Sequence, residues 1–202
     1  MTILDPRERN QLFSNDSIAS YLSDYSNELK RAIQSIDKTE LKKSEEILSE
    51  YYKNNKFIFA IGNGGSHAIA DHLACDFVKG SYKSSKQRFR VIPLGSLSSL
   101  NSAAANDFGH EKSFSKIIEF LGEEDGLLIA ISSSGNSKNI IEAVEYNRSR
   151  GGKTIGLTGF DGGELKKISD ASLHVNANNY GIVEDAHQSI MHIFSQYFLS
   201  ST

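Results

Sequence analysis

From Lys56 onward the chain alternates short apolar runs with stretches of helical pattern, and this alternation restricts the fold more than any other feature. The runs KFIFAI, RFRVIPL, GLLIAI, KTIGLTG and SLHV read as strands. Helices are expected at about 66–79, near 111–120, at about 137–150, near 163–168 and at about 182–200, with SLSSLNSAAAND following the second strand. Strands that are apolar throughout and separated by helical segments imply a parallel sheet covered on both faces, a doubly wound α/β sandwich. Before Lys56 the pattern differs. Residues 1–55 contain no glycine, and Ile18, Tyr21, Leu22, Tyr25 and Leu29, then Ile33 and Ile36, recur at helical spacing. After a break near Asp37 and Lys38 come Leu41, Ile47, Leu48 and Tyr51, a second amphipathic helix. We therefore divide the chain into two leading helices, 1–55, and an α/β region, 56–202, forming one structural unit overall.

Two strand-to-helix junctions are built alike. FIFAI is followed by Gly62-Asn63-Gly64-Gly65-Ser66-His67, and LLIAI by Ser132-Ser133-Ser134-Gly135-Asn136-Ser137. In an open α/β sheet, loops at the carboxyl ends of strands form the ligand crevice, and the helix that follows offers free N–H groups and a positive dipole end. Glycine lets the backbone approach a phosphate closely, and serine adds neutral donors. Taken singly, either turn is equally read as ordinary capping and turn chemistry; their repetition favours an anion site. A dinucleotide is excluded on pattern, because His67 stands where the third glycine of G-x-G-x-x-G belongs and RFRVIPL ends without an acidic residue. No G-x-x-x-x-G-K-[ST] occurs either. What remains is a small phosphorylated ligand held by neutral donors, with a sugar phosphate the natural candidate.

Charge and composition agree. The 202 residues carry a net charge of −3, which gives no reason to expect nucleic acid or an anionic membrane as partner. The single cysteine, Cys75, cannot form an internal disulfide, so a reducing, cytoplasmic setting is expected. No apolar run approaches the ~20 residues that span a bilayer, and MTILDPRERN lacks the apolar core of a leader.

Candidate acid–base groups lie on two helices. His72 and Asp76 are four apart after the first turn; Glu184, Gln188 and His192 follow at four-residue steps on the last helix. Each pair also has a plain structural reading, Asp76 as a surface charge and His192 as a core histidine. Asp185 and His187 fall at other offsets and are candidates for orienting a neighbour or for an interface. Cys75 is expected to be a buried small hydrophobe, while Lys79 and Lys83 are read as solvated cations near the phosphate site.

GNGGS after an apolar strand, NDFG at 106–109, ISSSGNS at 131–137, LTGFDGG at 157–163 and a late histidine-bearing helix together resemble the sugar isomerase (SIS) domain, and more narrowly the phosphoheptose isomerases. The resemblance covers nearly the whole chain, including the leading helices. It implies an aldose–ketose isomerase of the sedoheptulose 7-phosphate type, in which Asp76 and His192 are the acid–base pair with Glu184 assisting. It also implies zinc held by His72, Asp76, Glu184 and His192. Asn63, Gly64, Ser66, Asp107, Ser132, Ser133, Ser134 and Ser137 fall at the family's substrate and phosphate positions, and a homotetramer with sites at subunit boundaries is expected. Two departures stand out: Asp76 occupies a position where the family has glutamate, and Glu184 one where it has glutamine. The segment NYGIVEDAHQ lacks the charged residues that usually precede that glutamine. Two other readings stay open, a SIS module that senses a sugar phosphate or docks on a protein without catalysis, and an isomerase for a different sugar phosphate.

Overall fold

All five apolar runs form strands of one sheet. The computed structural model describes residues 13–81, 88–122 and 124–200. In it β1 (Phe57–Gly62), β2 (Arg90–Pro93), β3 (Leu127–Ile131), β4 (Lys153–Thr158) and β5 (Ala171–His174) pair in parallel, in the order β2-β1-β3-β4-β5. Connections from β1 and β3 therefore leave in opposite directions, and a crevice opens between their carboxyl ends. Register places Ile61 opposite Ala130 and Gly62 opposite Ile131, so the two Ser/Gly turns start side by side.

Alternation along the strands divides the core in two. Ile58 and Ala60 face one layer with Leu127 and Ile129; Phe59 and Ile61 face the other with Leu128 and Ala130. The first layer contains α1 (Ile18–Gln34), α2 (Lys38–Lys53), α3 (Gly65–Gly80) and α8 (Tyr180–Ser200). The second contains α4 (Ser98–Phe108), α5 (Ser113–Leu121), α6 (Lys138–Ser149) and α7 (Gly163–Ile168). Each fully buried apolar side chain stabilises the fold by about 1.5–3 kcal/mol, and Ile58, Phe59, Leu127 and Leu128 are all fully buried.

The leading helices close on the same core. Ile47, Leu48 and Tyr51 of α2 and Ala32 of α1 are buried in the first layer, where α1 packs on α8 and α2 against β5. Both helices start with side-chain caps. Ser17 accepts from the Ser20 N–H, and Asp37, at the expected break, accepts from the N–H groups of Thr39 and Glu40. Those bonds hold the Asp37 carboxyl below its ordinary pKa.

Candidate active site

Both turns at the crevice give way to helices that lack side-chain caps. Gly64 precedes α3 and Ser137 precedes α6, and neither makes a side-chain bond to the first-turn N–H groups. The N–H groups of Ser66, His67 and Ile140 turn back on the carbonyls of Asn63, Gly64 and Ser137, while the dipole ends of both helices lie at the crevice. Other helices also start uncapped; these two start at the reversal point of the sheet.

The backbone there demands glycine at Gly135, and Gly65 brings α3 close to α8. Gly135 has a φ of +66°, and a side chain would strike the Gly162 carbonyl, which abuts the second turn. At Gly65 a side chain would meet the Glu184 carboxylate. The serines differ in their surroundings. Ser66, Ser132 and Ser133 are buried, Ser134 and Ser137 half-buried. Ser132 donates to Ser137 Oγ at 3.3 Å and Ser134 Oγ accepts from the Asn136 N–H, whereas the buried Ser133 hydroxyl has no protein partner.

Asn63 makes a contact that the sequence does not announce. Its side-chain amide pairs reciprocally with that of Asn139, at 3.0 and 2.9 Å, tying the first turn to the start of α6. Asn139 is buried, and its signal was only a polar residue on the apolar face of α6. Asp107 lies exposed near the end of α4, accepting from the Asn106 amide. His67 joins a different chain of bonds: its Nε2 is 3.5 Å from Asp71, whose other oxygen accepts from the Ser96 hydroxyl, pinning turn 94–96 to α3.

The second group of functional candidates lies where α3 meets α8. Gly65 abuts Glu184 while His72 and Asp76 meet Gln188 and His192, so the two helices run in the same direction. Asp76 Oδ2 is 3.1 Å from Nδ1 of His192, and Asp76 Oδ1 is 3.5 Å from Nε2 of His72. The rings stand nearly perpendicular, 4.9 Å between centres. Gln188 completes the cluster, with its side-chain nitrogen 2.9 Å from His72 Nδ1 and 3.1 Å from His192 Nε2. Sequence spacing had put Gln188 on the same stripe, yet nothing in its residue type marked it as part of the site.

His72, Asp76 and His192 each offer one ligand atom within 4.8 Å of the others. Two imidazoles and a carboxylate suit a divalent cation that prefers nitrogen and oxygen donors. The expected set of four does not assemble within one chain. Glu184 is eight residues from His192, about 12 Å along the helix axis, and sits instead at the start of α3 against Gly65. There burial, with a smaller push from Asp185, raises the Glu184 carboxyl above its ordinary pKa.

The remaining candidates separate cleanly. Asp185 accepts from the Tyr25 hydroxyl at 2.7 Å, fastening α1 to α8, and burial together with that bond raises the Tyr25 pKa. His187 is fully buried beside Thr158, and burial pushes its pKa down to about 4. Cys75 is exposed, contrary to expectation, because the buried stripe of α3 runs through Ser66, Ile69, Ala70, Leu73 and Phe77 and leaves Cys75 on the opposite side. Lys79 is exposed at the end of α3, and Lys83 lies outside the described residues.

The SIS domain family matches residues 20–159. A phosphoheptose isomerase of Helicobacter pylori (strain P12) is 38% identical over 165 residues, covering 82% of this chain and 85% of the relative. One from Photorhabdus laumondii is 37% identical over 182 residues, covering 90% and 88%. Among solved structures, phosphoheptose isomerase GmhA from Neisseria gonorrhoeae superposes with a TM-score of 0.81 at 28% identity, covering 92% of this chain and 97% of that one.

Proposed function

The chain belongs to the SIS domain family and, within it, to the phosphoheptose isomerases, and from that membership we propose that it converts sedoheptulose 7-phosphate to D-glycero-D-manno-heptose 7-phosphate. The observation that carries the reading is the convergence of His72, Asp76 and His192 from two helices, 116 residues apart in sequence. A protein that only binds a sugar phosphate has no use for such a group.

Aldose–ketose isomerisation moves one proton between adjacent carbons and another between their oxygens, through an enediol(ate). Asp76, oriented by two imidazoles, takes the proton from the hydroxymethyl carbon next to the ketone and returns it to the former carbonyl carbon. His192 exchanges protons with the two oxygens, and Glu184, whose carboxyl holds its proton more firmly than usual, assists. The phosphate lies against the N–H groups of α3 and α6 and the hydroxyls of Ser66, Ser132, Ser133, Ser134 and Ser137. Asn63, Gly64 and Asp107 serve the sugar. His72, Asp76 and His192 would hold a zinc ion, which would supply Lewis-acid polarisation of a substrate oxygen.

We further propose a homotetramer with sites at subunit boundaries, formed through the leading helices. Ile18 and Leu22 of α1 are 85% and 65% exposed. A groove of about 460 Å³ lined by Ile33, Ile36, Leu41, Ile190 and Ile193 lies between the α1–α2 junction and α8. Among the described residues no helix is long and apolar enough to cross a membrane. We place the enzyme in the cytoplasm, supplying heptose precursor for lipopolysaccharide or capsule. Purified protein, with and without added zinc, should convert the seven-carbon member of a panel of five- to seven-carbon ketose phosphates. Turnover of none of them would sink the isomerase reading, and a monomer by light scattering at micromolar concentration would sink the assembly.

A further inference from the structure

Helix α6 buries two asparagines, and they use their amides differently. Asn147 donates to the backbone carbonyls of Gly126 and Lys153, fastening the helix to the starts of β3 and β4. Asn139, at the crevice end, is 2% exposed, and its amide is spent on another side chain: Asn63 gives it one N–H at 3.0 Å and takes one from it at 2.9 Å. Two primary amides facing each other in this way are self-complementary. Turning both over restores the same two bonds, whereas turning one sets oxygen against oxygen and nitrogen against nitrogen. A buried amide left unpaired is costly, so Asn139 holds the Asn63 side chain in place.

What is held is a turn with little else to hold it. Residues 62–65 read Gly-Asn-Gly-Gly, so Asn63 carries the one side chain in a stretch whose backbone is the least restrained of any residue type. The Asn63 carbonyl accepts from the Ser66 N–H at 3.0 Å, so the place of Asn63 also sets where α3 begins. Asn139 lies in the first turn of α6, two residues after Ser137, and the pair therefore bridges the glycine turn after β1 and the serine turn after β3. Asn63 itself is exposed and keeps one amide hydrogen and one carbonyl lone pair for a ligand. We infer that Asn139 is a positioning residue: through Asn63 it sets the two turns at one separation before an anion arrives, so that binding need not order the glycine turn. The inference rests on the reading of these turns as the anion site of a sugar phosphate.

Calorimetric titration of the full-length protein with inorganic phosphate is the test. Asn139→Leu keeps the branched shape of the side chain and removes both bonds. Asn63→Ala breaks the same pair from the exposed side and leaves the core untouched, so it serves even where the leucine variant fails to fold. Each should weaken phosphate about tenfold, the scale of one hydrogen bond. The double variant should lose no more than either alone, since a single pair is broken in all three. Unchanged phosphate affinity in either variant, or losses that multiply in the double, would overturn the inference; so would a parent that takes up no phosphate, whatever it does with a sugar. Turnover gives a second reading. Asn139→Leu should raise KM and leave kcat, because the α3/α8 cluster is untouched; a fall in kcat at constant KM would make Asn139 a general structural support instead. Failure of the parent to isomerise any sugar phosphate would count against the proposed activity and leave the phosphate titration to decide the role of Asn139.

Discussion

The turns after β1 and β3 draw their donors from residues adjacent in sequence, whereas the α3/α8 cluster joins side chains 116 positions apart. In the turns the side chains and N–H groups are neutral, and the glycines and serines that supply them also shape the backbone. In the cluster the groups are titratable, and each is placed by helix packing. This difference separates two tasks. Holding an anion needs only local geometry that frees N–H groups, while moving protons needs an acid and a base at a fixed separation, which two helices locked on one sheet supply.

Kinetics offer the strongest way to break this division. Asp76→Asn keeps the shape of the cluster and removes its base, so kcat should fall by about 10²–10⁴ with KM changed little. A rise in KM at constant kcat would instead assign Asp76 to binding.

A second test uses pH to separate the regions. His187, buried in α8 beside Thr158, has a folded pKa pushed down to about 4, below that of the unfolded chain. The neutral ring's contribution is thus complete above about pH 6.5 and is lost as pH falls toward 4, by roughly 3 kcal/mol at the low end. Urea midpoints measured across this range should show the loss, and His187→Phe should flatten it; identical pH curves for parent and variant would remove His187 from the account.

The smallest effect belongs to the turns. Ser133→Ala removes a buried hydroxyl that has no protein partner, so stability should hold while KM rises about tenfold, the equivalent of one hydrogen bond to a charged group. Loss of kcat alone in that variant would mean that the turns take part in proton transfer, and the contrast between the two regions would fail.

Much of this architecture was legible in the chain. The five apolar runs became the five strands, and the break at Asp37 became the cap of α2. Helix spacing was a weaker guide to the site. A four-residue step put Glu184, Gln188 and His192 on one stripe, but a stripe also has length, and its axial rise moved Glu184 to the crevice while leaving Gln188 between the imidazoles. Asn63 pairs with Asn139, a partner 76 residues away that no local pattern could name. Cys75 was misjudged because its apolar character was weighed without asking which side of α3 it occupies.

The sequence by itself determined the sheet, its coverage on both faces and the two Ser/Gly turns at the strand ends, because strand alternation, glycine conformation and helix N-termini are set by residues within one or two turns of each other. Tertiary structure alone decided which side chains meet in the α3/α8 cluster, Gln188 among them. Which side chains face one another across two helices depends on their relative axial position, and that is fixed by how both pack against a shared sheet.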